Sequence, residues 1–203
     1  MPSLRIQALT GAELVGRLDA LAALRIRIFH DWPYLYAGDA DYERRYLRAY
    51  AEAAGSVIVG AFDDDLPEAE RLVGAATGLP LSHEPAGVRD PFTLAGFDVD
   101  RIYYFGESLL LPAYRGRGVG EWFFREREVH ARGLGGFQWL AFCAVIRRDD
   151  DPRRPADYHP LDTFWRKRGF VRHPGLTVSL SWQEIGEAAE SPKPMAVWMK
   201  GPL

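Results

Sequence analysis

The chain has 203 residues, one cysteine, a formal net charge of −3 and 47% hydrophobic residues. A single cysteine excludes a disulfide scaffold and a four-cysteine zinc site, and six Trp, nine Tyr and eleven Phe supply too much apolar surface for a disordered chain. The near-neutral balance argues against bulk-charge binding of nucleic acid, no run approaches the roughly 18 apolar residues of a membrane span, and the first residues carry no apolar leader. These features predict one domain over residues 1–203, cytoplasmic, with neither nucleic acid nor membrane as partner.

In chain order, Leu4, Ile6 and Ala8 alternate as a short strand, and Leu14, Leu18, Leu21, Leu24 and Ile28 follow at helical spacing. The segment Trp32-Pro33-Tyr34-Leu35-Tyr36 is an aromatic loop. Asp39 or Asp41 caps a second helix that carries Tyr42, Tyr46, Leu47 and Tyr50 and ends at Gly55. Val57 to Phe62 and Arg71 to Thr77 form a strand pair around an acidic turn. Residues 80–100 are punctuated by Pro and Gly, with a helical turn near Pro91 to Ala95. Ile102 to Leu111 is a central strand stopped by Pro112. Gly118 to Arg132 is a helix with Val119, Trp122, Phe123 and Val129 on its buried side. Phe137 to Ile146 is a strand, 147–154 a solvated charged loop, and Pro160 to Arg168 a short helix closed by Gly169. Strands over Thr177 to Ile185 and Met195 to Lys200 finish the chain. Consecutive strands without intervening helices exclude a purely parallel sheet, so the expected class is α/β (α+β): a mixed sheet with helices on both faces.

The sharpest local signal is Leu109-Leu110-Leu111-Pro112-Ala113-Tyr114-Arg115-Gly116-Arg117-Gly118-Val119-Gly120, which joins a strand to an amphipathic helix. Glycines permit positive φ and close approach of a ligand. The first amides of a helix lack internal partners, and the helix dipole adds partial positive charge. With Arg115 and Arg117 beside them, these amides suit a pyrophosphate. The Gly-Lys-Ser/Thr of a Walker loop is absent, and so is the third glycine of the dinucleotide fingerprint. A glycine-rich turn with solubilising arginines is the bland alternative.

Arg115-Gly116-Arg117-Gly118-Val119-Gly120 resembles the R/Q-x-x-G-x-G/A signature of the GNAT superfamily of acyl-CoA-dependent N-acyltransferases. Phe164-Trp165-Arg166-Lys167-Arg168-Gly169-Phe170 resembles that family's later F-Y-x-K-x-G-F segment, and the element order is similar throughout. The resemblance implies a mostly antiparallel sheet with one splayed parallel strand pair. It implies that the amides of Arg115, Gly116, Arg117, Gly118, Val119 and Gly120 bind the pyrophosphate of acetyl-CoA as acyl-donor cosubstrate. It also implies that Leu109, Leu110 and Leu111 pair with the pantetheine arm, opposite the strand at 137–146. An acceptor amine of a small molecule or peptide would attack the thioester directly in a ternary complex. Dimerisation through the final hairpin is open on the same grounds.

Trp165 stands where the family carries a tyrosine acid, so Tyr158 and His159 are the nearby candidates for that role. This departure keeps a catalytically inactive acyl-CoA-binding regulatory or interaction domain in view as the alternative. Glu107, a carboxylate inside an apolar strand, is the candidate base, because burial raises a carboxyl pKa. Its competing reading is a carboxylate at a bulge, salt-bridged to an arginine. Strict alternation places Glu107 opposite Tyr104, Gly106, Ser108 and Leu110. Trp32, Tyr34 and Tyr36 are candidates for the acceptor site, with a hydrophobic plug as the equal alternative. Cys143 reads as a small core residue, Arg153 or Arg154 as reaching toward the CoA 3′-phosphate, and five scattered histidines predict no metal.

Overall fold

The computed structural model describes residues 4–203. Its seven strands are β1 (Leu4–Leu9), β2 (Val57–Asp63), β3 (Leu72–Pro80), β4 (Ile102–Leu110), β5 (Trp139–Val145), β6 (Val171–Trp182) and β7 (Ser191–Lys200). They form one sheet in the order β1-β2-β3-β4-β5-β7-β6. Every neighbouring pair is antiparallel except β4–β5. That parallel pair is short: only Ile102, Tyr103 and Tyr104 face Trp139, Leu140 and Ala141, and the two strands then part. Beyond Tyr104, β4 keeps its pairing with β3, while β5 keeps its pairing with β7. The sheet therefore opens in its middle.

The helices are α1 (Gly11–Val15), α2 (Leu18–Phe29), α3 (Ala40–Glu52), α4 (Ala86–Leu94), α5 (Val119–Leu134) and α6 (Asp162–Arg166). One face of the sheet buries Val57, Val59, Tyr103, Phe105, Phe142 and Trp198 with Phe123 and Phe124 of α5. The other face buries Leu14, Leu21, Leu24 and Leu47 against Ile58 and Leu109. Next to it, Tyr50 and Phe92 pack with Tyr104, Val178 and Val197. Helices thus cover both faces, and alternation along β7 sends Trp198 one way and Val197 the other.

Four details differ from the sequence reading. The first helix is broken into α1 and α2 at Gly16 and Arg17, where glycine weakens the helix. The Pro- and Gly-punctuated stretch hides a full helix, α4, whose Val88 and Phe92 lie one turn apart and are buried. On α5, Trp122 and Val129 are exposed, and the buried side is Val119, Phe123, Phe124, Arg127 and Ala131. A buried arginine inside the apolar stripe moved its apparent phase. The last two strands begin earlier than expected, β6 at Val171 and β7 at Ser191; β7 tolerates Pro192 and Pro194 because it has there run past the end of β5 and needs no donor on that side.

Candidate active site

The site is built where β4 and β5 part. The β3–β4 register steps from Ala76 opposite Ser108 to Gly78 opposite Phe105, so β4 carries one extra residue. That bulge corrects the alternation expected from sequence. Gly106 and Glu107 both turn toward α2 and α3, the side of Tyr104, whereas Ser108 turns toward α5. A Cβ on Gly106 would collide with the Tyr50 hydroxyl and Thr77 Oγ1. The Glu107 amide donates to Thr77 Oγ1 at 3.1 Å. From the other face Arg127 of α5, 1% exposed, locks the bulge. It donates to the carbonyls of Thr77 (3.0 Å) and Glu107 (3.1 Å), to Phe123 O (3.1 Å) and to Ser108 Oγ (2.8 Å). Burial pulls Arg127 down to about 9, so it stays protonated at neutral pH.

Between β4 and α5 the chain makes a tight turn over Pro112–Tyr114 and enters the helix through Gly116 (φ 74°) and Gly118 (φ 80°). Both glycines face open space, and both adopt the left-handed conformation that costs other residues about 1–2 kcal/mol. The Arg115 amide donates to Pro112 O and the Glu121 amide to Gly118 O. Among the described residues, the amides of Gly116, Arg117, Gly118, Val119 and Gly120 donate to no backbone carbonyl. Five consecutive donors therefore gather at the positive end of a 16-residue helix, with exposed Arg115 and Arg117 beside them. Arg115 Nε donates to Leu110 O at 3.2 Å, and the Arg117 guanidinium lies 5.2 Å from the centre of the Tyr114 ring. Leu111 N donates back to Val73 O, toward β3, so Leu110 is the residue of that stretch whose carbonyl faces away from the sheet's paired side.

On the α2–α3 side of the bulge lies a buried charge cluster. Arg25 pairs with both Glu43 and Glu107, and its guanidinium lies over the Tyr46 ring at 4.4 Å. Burial works against the Arg25 charge, but Glu107 and Glu43 outweigh it and hold the proton well above the ordinary value. Beside this cluster Tyr46 Oη donates to Tyr50 Oη (3.1 Å), which donates to Glu84 Oε1 (2.7 Å). Glu84, 6% exposed, sits at the end of the turn that follows β3. Burial pushes its carboxyl up to about 7, against the Tyr50 hydrogen bond and helped by nearby Glu107. Tyr104 and Cys143 touch across the parting strands, and burial pushes the Cys143 thiol up to about 12.

No family model matches the sequence, and no curated protein matches it. Solved structures do. The chain resembles Arabidopsis thaliana NAA60 in complex with acetyl-CoA (TM-score 0.62, 14% identity, covering 98% of this chain and 98% of that one). It resembles the ribosomal-protein-alanine N-acetyltransferase of Brucella melitensis (TM-score 0.60, 16% identity, 97% and 99% covered). A GCN5-related N-acetyltransferase from Kribbella flavida aligns similarly (TM-score 0.55, 18% identity, 98% and 97% covered). The chain has the GNAT fold.

Within the GNAT fold, the sequence-predicted residues distribute unevenly. Glu107 is the salt-bridged carboxylate at a bulge that was its competing reading. Tyr34 reaches the same region: burial, then Glu107 and Cys143, push its hydroxyl up to about 12. Tyr36 is raised by burial and by neighbouring Glu43. Trp32 meets Tyr158 edge-on, with ring centres 6.0 Å apart, and Tyr158 is half-buried. His159 is exposed. The aromatic loop is strapped down: Ala37 N donates to Gln183 O, Ile185 N to Leu35 O and Trp182 Nε1 to Tyr34 O. Arg147 donates to Pro33 O (2.6 Å) and Tyr34 O (3.2 Å) and pairs with buried Glu184 (2.6 Å). The start of the charged loop is therefore a buried clamp, contrary to the solvated reading. Arg153 is engaged by Asp151 and Glu184, and Arg154 by Asp149. Asp39 caps α3 through Tyr42 N, and Asp41 pairs with Arg44.

Sequence reasoning missed Arg25, Tyr50, Glu84, Arg127 and Arg147. Three of these are arginines, each with partners 18 or more residues away in sequence that local reading does not supply. The signal available for α3 was the run Tyr42, Tyr46, Tyr50, which set three hydroxyls at one-turn spacing. Among the described residues no three His, Cys, Asp or Glu side chains gather as a metal-binding group. No helix there is long and apolar enough to cross a membrane.

Proposed function

We propose that the chain is a GNAT N-acetyltransferase that moves an acetyl group from acetyl-CoA to a primary amine of a small molecule or peptide, by direct attack in a ternary complex. The observation that carries this reading is the row of five undonated amides, Gly116 to Gly120, at the mouth of a sheet whose central strands have parted. A pyrophosphate fits such a row in charge and donor geometry. A pantetheine arm contains amides, and a splayed strand offers main-chain partners for them. Bound acetyl-CoA supplies the activated acyl group.

The chain's own residues divide the remaining work. Gly116 and Gly118 keep the approach to the amides clear. Arg127 fixes the bulge, and so the direction of Glu107. The carboxylates of Glu43 and Glu107 outnumber the one charge of Arg25, which favours a cationic acceptor. Tyr34 and Tyr36 bring rigid aromatic surface to the same side.

The test is thiol release from acetyl-CoA across a panel of polyamines, amino-sugar antibiotics and peptides with free N-termini. Amine-dependent release supports the reading. No release with any amine, alongside measurable acetyl-CoA binding, supports a binding module without turnover. One observation favours that second reading. Trp165, at the position of the family's tyrosine, meets Phe142 and Trp198 edge-on, with ring centres 5.0 and 5.1 Å away, and offers no hydroxyl.

A further inference from the structure

Resting on the acetyltransferase reading, we infer that the hydroxyl chain Tyr46–Tyr50–Glu84, laid over the bulge at Gly106, takes the proton from the acceptor ammonium, and that Glu107 does not. The inference starts from a direction. Tyr46 Oη donates to Tyr50 Oη, and Tyr50 Oη donates to Glu84 Oε1. An ionised Glu84 can only accept, so Tyr50 donates to it and Tyr46 to Tyr50, which leaves the Tyr46 oxygen as the end that can accept a new proton. The chain is also placed. Tyr50 Oη occupies the space that a Cβ on residue 106 would need, so the glycine in β4 admits a hydroxyl directly against the bulge.

Glu107 is unsuited to the same task. It is buried and ion-paired with Arg25, which also holds Glu43. Protonating Glu107 would remove a charge that a buried guanidinium relies on. Glu84 has no such commitment, since no cationic group among the described residues lies within ion-pair distance of it. The groups that face it are Tyr46 and Tyr50 from α3, Arg25 from α2, Glu107 and Tyr104 from β4, and Cys143 from β5. On its own segment Arg89 is turned to the Ser82 carbonyl. Burial keeps the Glu84 carboxyl near 7, matched to transfer at neutral pH.

The step balances. An N–H proton of the ammonium passes to Tyr46 Oη, the Tyr46 proton to Tyr50 and the Tyr50 proton to Glu84. This leaves a neutral amine, two neutral tyrosines and a carboxylic acid. The nitrogen forms its bond to the carbonyl carbon, the carbon–sulfur bond breaks, and the nitrogen's second proton ends on the departing thiolate. Glu84 then returns its proton to water.

The experiment is the pH profile of kcat in the wild type, Glu84→Gln and Tyr46→Phe, with an infrared titration of the free protein. The wild type is expected to lose activity below pH about 7. Both variants are expected to lower kcat by about 10²-fold or more and to abolish that acid limb, with the KM for acetyl-CoA unchanged. In the infrared, a protonated carboxyl band titrating near 7 is expected in the wild type and absent in Glu84→Gln. Tyr46→Phe keeps the ring beneath Arg25 and carries the test where Glu84→Gln folds poorly. An acid limb that survives in the variants of an active enzyme, or no titrating band, overturns the relay alone. A wild type that transfers acetyl to no amine overturns the acetyltransferase reading, and the relay with it.

Discussion

Gly120 of α5 lies against Phe164 of α6, and a Cβ at residue 120 would stand 3.1 Å from Phe164 Cζ. The two stretches that resemble GNAT signatures, far apart in sequence, therefore touch. The third glycine of the loop is a packing glycine. It lacks the positive φ of Gly116 and Gly118 and has a neighbour where they have none. Gly120→Val is expected to lower stability by about 1–3 kcal/mol through overpacking, read as a shift in urea midpoint. Gly116→Ala meets nothing and carries only the left-handed penalty of about 1–2 kcal/mol. A stability loss in Gly116→Ala well above about 2 kcal/mol, or none in Gly120→Val, would contradict this division.

Arg25 is expected to be hard to remove. Arg25→Ala leaves two buried carboxylates, Glu43 and Glu107, without their shared cation. A broken buried pair costs about 3–5 kcal/mol. Adding Glu43→Gln and Glu107→Gln should recover part of that loss in denaturant melts. If Arg25→Ala melts like the wild type, the cluster does not hold α2, α3 and β4 together.

Arg127 makes a different prediction, because its partners are carbonyls and a hydroxyl rather than carboxylates. Arg127→Met fills much of the volume but orphans the Thr77 and Glu107 carbonyls. A loss of about 2–6 kcal/mol is expected, from about 1–3 kcal/mol for each of the two buried carbonyls left unsatisfied. Amide exchange at Glu107 should quicken, since the bulge loses its lock. Unchanged exchange there would show that Thr77 alone fixes the bulge.

Glu84 gives stability a pH dependence of definite sign. Its carboxyl is raised from 4.5 to about 7 on folding. The folded state therefore binds the extra proton between those values, and stability falls as pH rises through that window. The change is about 3 kcal/mol at about 1.4 kcal/mol per unit. Comparing melts of the wild type and Glu84→Gln from pH 4.5 to 8 isolates it. Parallel curves would mean that Glu84 titrates alike folded and unfolded.

The clamp at Arg147 makes the fifth prediction. Arg147→Ala frees two loop carbonyls and leaves Glu184 to Arg153 and Lys193. Faster exchange of the Ala37 and Ile185 amides is expected, with little change in α5. Equal protection before and after would place the strap's strength in the backbone pairing alone.

What the sequence disclosed followed local physics. The strand from Val57, a cap by Asp39 or Asp41 and the glycine loop into α5 are set by neighbours a few residues apart; the strand and the loop stand where they were read, and of the two aspartates Asp39 is the cap. The side of β4 that Glu107 occupies was not legible. It depends on a bulge held by Thr77 and Arg127, 30 and 20 residues away. The α5 phase failed for the same reason: an arginine is read as solvent-facing until its carbonyl partners are known. Arg147 likewise reads as part of a charge run until the loop at Pro33 and Tyr34 is folded beside it.

The central claim is that the amides from Gly116 to Gly120 cradle the pyrophosphate of acetyl-CoA. Calorimetric titration with acetyl-CoA and desulfo-CoA, on the wild type and on an Arg115→Ala, Gly118→Val variant of unchanged fold, tests it most directly. The account predicts dissociation constants on the order of micromolar for both ligands in the wild type and loss of binding in the variant. Absence of binding in the wild type, or equal binding in the variant, would contradict it.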